Sequence, residues 1–264
     1  MDTLQAIILG IVQGITEFLP VSSSGHLQIA KALLGVSIEE NLLFDVTLHA
    51  ATVLSAIVVL WSEVVRLLKG LFSRRFNEEQ AYILKIVISM VPIGIVGFTL
   101  KDQLNALLDS PAILCVVGCM LLVTAALLAF AYYARPRQKE RLSYRDAFLI
   151  GVAQAFAAMP GLSRSGATIA TGLLLGNRKE TMAQFSFLMV LIPILGETFL
   201  ELLKGNLGAQ MIGTWPLIAG FLASFVVGCL ACKFMIEMVK RGKLVWFAAY
   251  CAVAGGVSIV AYLL

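Results

Sequence analysis

Two stretches of this chain match each other at a fixed offset of 141 residues, and neither has the makeup of an ordinary membrane span. Aligning Gly10-Ile11-Val12-Gln13 with Gly151-Val152-Ala153-Gln154 places Ser22, Ser24 and Gly25 on Ser163, Ser165 and Gly166 without a gap. Leu33-Leu34-Gly35 then falls on Leu174-Leu175-Gly176, and the apolar run from Leu42 falls on one starting near Ala183. Apolar sequence matches leucine to leucine by chance, but not an ordered series of Gln, Ser and Gly. A chain with such a repeat is expected to fold as two like halves.

The medium for those halves follows from the scarcity of charge. Only 14% of residues are charged and 59% are hydrophobic, whereas a soluble domain carries roughly a quarter charged residues. Six apolar runs are long enough to cross a bilayer: 42–61, 83–100, 111–133, 182–200, 215–232 and 246–263. The matching stretches, 4–35 and 146–176, begin apolar but are broken by Pro, Gly, Ser and charged groups. Irregular backbone at membrane depth is tolerated only where protein or a wet cavity satisfies it, so both read as re-entrant hairpins.

Parity fixes the rest of the expected topology. One hairpin returns to its own side and three spans do not, so the second half enters the membrane inverted relative to the first. The basic residues agree. They gather as Arg66, Lys69, Arg74 and Arg75, then Arg135, Arg137, Lys139, Arg141 and Arg145, then Lys233, Lys240, Arg241 and Lys243. All three clusters fall on one side, the cytoplasm under the positive-inside rule, which leaves both termini outside. Their dispersal also argues against a nucleic-acid partner. The expectation is an all-α polytopic membrane protein of two inverted-topology repeats, 1–133 and 146–264, joined by a cytoplasmic linker at 134–145. Each repeat holds one re-entrant hairpin and three transmembrane helices.

The hairpins carry the groups with chemistry in them. In the first, Gln13 and Glu17 share a helix face, Pro20 closes the helix, and Ser22-Ser23-Ser24-Gly25 leads to His26. An ionisable group at the bilayer centre costs at least about 2.5–3.5 kcal/mol, so Glu17 and His26 on one short hairpin are not expected to be passive. The second reads Pro160-Gly161-Leu162-Ser163-Arg164-Ser165-Gly166-Ala167-Thr168, one cation among three hydroxyls. Arginine offers a planar fork of donors suited to phosphate oxygens. The bland alternatives are a Glu–His pair that holds the hairpin shut and an Arg164 that only neutralises Glu17. Asp45 and His49, four apart on the first span, either support the site or satisfy each other. Together the two loops offer nucleophile, proton handler and anion clamp, which is what phosphoryl transfer needs.

At these residues the chain resembles the undecaprenyl-diphosphate phosphatase family of the bacitracin-resistance type. The likeness rests on Gln13-x-x-x-Glu17, on Pro20-Val-Ser-Ser-Ser-Gly-His26, and on Pro160-Gly161-x-Ser163-Arg164-Ser165-Gly166-x-Thr168, and extends over essentially the whole chain. The resemblance implies hydrolysis of undecaprenyl diphosphate to the monophosphate, which recycles the carrier lipid for cell-wall synthesis. It implies Glu17 as the essential acid, Ser23 as nucleophile, His26 as proton-transfer partner, and Arg164 with Ser163 and Thr168 as diphosphate binders. Gln13, Ser22, Ser24, Gly25, Ser165 and Gly166 join them as candidate substrate contacts. A divalent cation, Mg²⁺ or Ca²⁺, is implied, held by Glu17 and the substrate's own oxygens, although the neutral Gln13 weakens any anchor there. The implied partners are a polyprenyl diphosphate, membrane lipid and a second copy of the chain, in the bacterial cell membrane with the site opening outward. The rival reading is a lipid-carrier transporter or flippase built on the same inverted-repeat site; an ion channel with a Ser-lined filter is weaker.

Overall fold

The computed structural model describes residues 1–264 except 37–41, 109, 111, 135–138, 140, 204–211 and 264; Arg135 and Arg137 of the second basic cluster lie outside the described residues. Twelve helices make up the described fold: α1 Thr3–Phe18, α2 Ser23–Leu33, α3 Leu42–Val59, α4 Trp61–Leu71, α5 Glu78–Thr99, α6 Lys101–Leu108, α7 Ile113–Tyr133, α8 Tyr144–Phe156, α9 Arg164–Leu174, α10 Lys179–Leu203, α11 Thr214–Lys240 and α12 Val245–Leu263. Four of them, α5, α7, α11 and α12, are long and apolar enough to cross a membrane, and α3 with α4 would add a fifth as one broken span. The run expected at 182–200 lies within the 25 residues of α10.

Local chemistry sets where the helices begin and end. α1 starts in a capping box, with Gln5 N donating to Asp2 Oδ1 and Asp2 N donating to the Gln5 side chain. Asn77 and Gln80 build the same device before α5, which moves its start well ahead of the apolar run. α3 and α4 turn through 81° at Leu60, where the apolar run meets the Trp61-Ser62-Glu63 sequence of an amphipathic segment. Pro92 lies inside α5 and Pro193 inside α10.

The matching segments fold as helix–break–helix units, α1 on α2 and α8 on α9. α2 and α9 have 11 residues each, about 16 Å at 1.5 Å per residue, or half the hydrocarbon thickness. α1 packs along α11 and α8 packs along α5. Small residues make both contacts close. A Cβ on Gly10 would stand 2.5 Å from Gly220 O, and one on Gly14 would stand 2.8 Å from Ser224 O. Gly151 meets the Ser89 backbone in the same manner. Lipid tails are as apolar as leucine, so such backbone approach, with its dense van der Waals contact, is what drives membrane helices together. α7 and α12 complete the bundle against each other.

Candidate active site

α1 ends at Phe18 because Leu19 takes extended backbone before Pro20. Its last turn therefore delivers Glu17 at the mouth of a break that ends at Ser23, the first residue of α2. Ser22 holds the break in the left-handed region (φ +70°), unusual for a residue with a Cβ. In the second unit Ser163 caps α9, its Oγ accepting from Gly166 N at 3.0 Å, so Arg164 becomes the first helical residue.

The two breaks meet. Arg164 Nη2 donates to Glu17 Oε1 at 3.1 Å, and Ser165 Oγ donates to Leu19 O at 3.3 Å. The other Glu17 oxygen, Oε2, accepts from Ser23 Oγ at 2.7 Å and from Gln13 Nε2 at 2.9 Å. His49 Nδ1 stands 3.1 Å from Gln13 Nε2 and 3.7 Å from Glu17 Oε2. The Glu17 side chain is 4% exposed and that of Arg164 25%, so the carboxylate is buried and the cation reaches an opening.

That opening is a cavity of about 660 Å³, lined by Glu17, Ser22, Ser23, Ser24, His49, Gln154, Ser163, Arg164 and Ser165 on its polar side. Met90, Ile93, Phe98, Leu104, Phe187 and Leu191 contribute to an apolar wall. A small polar pole on a long apolar chamber suits an amphiphile with a charged head.

The outer serines of each loop share one geometry. Ser22 and Ser24 Oγ lie 3.4 Å apart, and their counterparts Ser163 and Ser165 lie 3.3 Å apart. Between each pair stands the residue by which the loops differ, Ser23 in one and Arg164 in the other.

Other candidate residues take different places from those the spacing invites. His26 does not meet Ser23. Its Nδ1 lies 2.9 Å from Ser22 O, its Nε2 2.6 Å from Tyr250 Oη, and its ring stacks on Tyr250. Both ring nitrogens are thus engaged away from the cavity. Asp45 does not pair with His49; Lys31 Nζ donates to it at 2.6 Å, which leaves His49 beside Glu17. Thr168 donates to Arg164 O at 2.8 Å and shares a hydrogen bond with Ser186, so it braces the first turn of α9. A Cβ on Gly25 would press on Val117, and one on Gly166 would stand 3.1 Å from Pro20 Cβ, so these glycines set how closely the loops pack. Sequence reasoning passed over Tyr250, Ser186 and Gln154. Lys31 carried a signal, a lysine in an apolar hairpin, and it lies buried in an ion pair.

The residues present do not fit a resident Mg²⁺ or Ca²⁺. Such ions take six or more oxygen ligands, carboxylates foremost. Glu17 has one oxygen bound to a cation and the other accepting two hydrogen bonds, and Gln13 is neutral. Among the described residues no group of three or more His, Cys, Asp or Glu is placed to hold a metal.

Comparison with known proteins gives a consistent result. The family model described as bacitracin resistance protein BacA matches residues 6–257. The chain is 58% identical to an undecaprenyl-diphosphatase of Bacteroides thetaiotaomicron and 59% identical to one of Parabacteroides distasonis, in both cases over 100% of each chain. It is 50% identical to an undecaprenyl-diphosphatase of Christiangramia forsetii over 98% of each chain. With relatives at this identity over the whole chain and a family match spanning residues 6–257, the chain belongs to the bacitracin resistance protein BacA family.

Proposed function

We propose that this protein hydrolyses undecaprenyl diphosphate to undecaprenyl phosphate and inorganic phosphate. The observation that carries the reading is the 2.7 Å hydrogen bond from Ser23 Oγ to a buried carboxylate, faced by Arg164 across one cavity with an apolar wall. Binding a headgroup needs the cation and the hydroxyls; it does not need a serine wired to a base.

In the proposed mechanism the terminal phosphoryl group sits against Arg164, whose fork stabilises the charge on its oxygens. Ser23 Oγ attacks the terminal phosphorus and passes its proton to Glu17 Oε2. The bond to the bridging oxygen breaks, and undecaprenyl phosphate leaves with that electron pair. Water then attacks the phosphoserine, Glu17 returns its proton to the departing Ser23 oxygen, and inorganic phosphate leaves with the protons of the water. Gln13 holds Glu17 in place through its amide, and His49 stands at the same carboxylate from the cavity side. Any divalent cation arrives with the diphosphate oxygens and not as a fixed part of the protein.

The two halves are proposed to be inverted repeats, 1–133 and 146–264, with 134–145 as the cytoplasmic linker. Support comes from the matched serine pairs, from the two helix–break–helix units, and from the equivalent pairing of α1 with α11 and α8 with α5. The site is proposed to open outward. Its lining runs from the breaks to Gly97, Phe98 and Leu104 on one side and to Pro193 and Gly196 on the other. Gly97 and Phe98 lie at the end of α5, Leu104 in α6, and Pro193 and Gly196 in the later half of α10, away from the basic loops.

The test is phosphate release by the purified protein in detergent given undecaprenyl diphosphate. Release of one phosphate per lipid supports the reading. No release, together with movement of the intact lipid diphosphate across vesicles, would make it a transporter.

A further inference from the structure

Gln154 occupies the position in the second half that Gln13 holds in the first, at the same offset that aligns the serine loops. The surroundings of the two amides differ. Gln13 Nε2 donates to Glu17 one turn along its helix. The residue one turn beyond Gln154 is Ala158, so the second half offers no carboxylate for this amide to hold. Gln154 is 0% exposed, and its Oε1 has no hydrogen-bond partner among the described residues. Its Nε2 reaches only the Met90 thioether at 3.9 Å, a weak acceptor. Both Gln154 and Ala158 line the cavity that holds Glu17, Ser23 and Arg164.

Buried amides in folded proteins are nearly always hydrogen-bonded, and one that is not calls for an explanation. Placement on a ligand cavity supplies one, because a site recognises polar ligand groups through polar atoms left unpaired without them. The neighbouring donors are already committed. Ser163 Oγ accepts from Gly166 N and shares a hydrogen bond with Ser165 Oγ, Ser165 Oγ donates to Leu19 O, and Thr168 Oγ1 donates to the helix backbone. An anion held by Arg164 can take a further neutral donor, and Gln154 is a buried side chain of the same cavity with one to give.

We infer that Gln154 is a headgroup-binding residue whose amide N–H donates to a phosphoryl oxygen of the diphosphate held by Arg164, with Oε1 accepting from a protonated phosphate oxygen. In the two halves the same amide serves opposite partners, holding the base in one and the anion in the other. The inference rests on the phosphatase reading for the identity of the anion.

The test uses Gln154→Met, which keeps the size and suits the thioether neighbour, and Gln154→Glu, which keeps the shape and adds negative charge. KM and kcat for the lipid diphosphate are measured with thermal stability, and inorganic pyrophosphate is used as a competing probe. Gln154→Met is expected to raise KM and the pyrophosphate inhibition constant together by roughly tenfold or more, the loss of one hydrogen bond to a charged group. Its thermal midpoint stays at or above the parent's, and Gln154→Glu binds pyrophosphate still more weakly. Parent-like KM and pyrophosphate inhibition in Gln154→Met would overturn the inference while leaving the phosphatase reading intact. A parent that hydrolyses no lipid diphosphate yet binds pyrophosphate in a Gln154-dependent way would overturn the phosphatase reading and uphold the anion site.

Discussion

Glu17 and Arg164 are 147 positions apart in sequence and 3.1 Å apart in space, the carboxylate buried in one half and the guanidinium arriving from the other. Neither half can complete the polar pole of the cavity alone. Removing one partner leaves an uncompensated charge at membrane depth, so Arg164→Ala is expected to destabilise the protein by about 3–5 kcal/mol. Arg164→Lys restores the charge without the fork. It should recover most of the thermal stability while kcat/KM stays down by roughly 100-fold, since charged hydrogen bonds contribute about 1.5–3 kcal/mol and about 1.4 kcal/mol is a factor of ten. Unfolding in detergent and steady-state phosphate release measure the two halves of this claim. Near-parent turnover in Arg164→Lys would reduce Arg164 to a counter-ion.

The row Ser22-Ser23-Ser24 separates nucleophile from framework. Ser23→Ala should lower phosphate release by roughly 1,000-fold or more, as loss of a reacting group does. Ser22→Ala and Ser24→Ala each lose one neutral hydrogen bond and should cost less than about tenfold. Single-turnover assays on the three variants side by side decide the matter. Equal rates for Ser23→Ala and the parent would leave water as the attacking group.

His26 is expected to act through position. Tyr250→Phe keeps the ring stack and deletes the 2.6 Å hydrogen bond, so it should cost about 1 kcal/mol of stability and only a small part of the turnover. His26→Ala should lose stability and turnover together. If it abolished turnover at unchanged thermal stability, the imidazole would be moving protons after all.

Divalent cations should matter only once substrate is present. EDTA, or millimolar Mg²⁺ or Ca²⁺, is expected to leave the thermal midpoint of the ligand-free protein unchanged. A shift is expected when inorganic pyrophosphate is added with the metal. A metal-dependent midpoint without any phosphate would reveal a resident site that the occupied oxygens of Glu17 argue against.

Topology can be read by labelling single cysteines in a cysteine-free background in sealed cells. Both chain ends and the 101–110 segment should react from outside. The 62–80, 134–145 and 233–245 segments should not. Outside labelling of 134–145 would remove the inversion of the second half.

Much of this was legible because membrane chains declare themselves strongly. Pro20 and the Pro160-Gly161 pair mark the two helix breaks, and residues confined to short breaks stay near their sequence neighbours. Partners brought in from distant segments are what local spacing does not carry. Spacing puts His26 three residues from Ser23 but cannot show Tyr250, its partner on a helix more than 200 residues later. The spacing of Asp45 and His49 leaves open a pair or a support of the site; Lys31 on α2 takes Asp45, and His49 stands beside Glu17. The far end of α11 also ran past its apolar stretch to Lys240, as helices do when long basic side chains carry them into the interface.

The packing of α1 on α11 has a consequence for how the chain is made. α1 is synthesised ahead of α11 and meets this principal neighbour only after some 200 further residues have followed it. Until then Gly10 and Gly14 face lipid with nothing to fill the groove they leave, and Glu17 lacks its arginine. A segment made early is thus settled late, and the packing around the active centre waits for α11. A copy stopped short of α11 leaves α1 without that neighbour, so the helix that carries Glu17 is not packed into place.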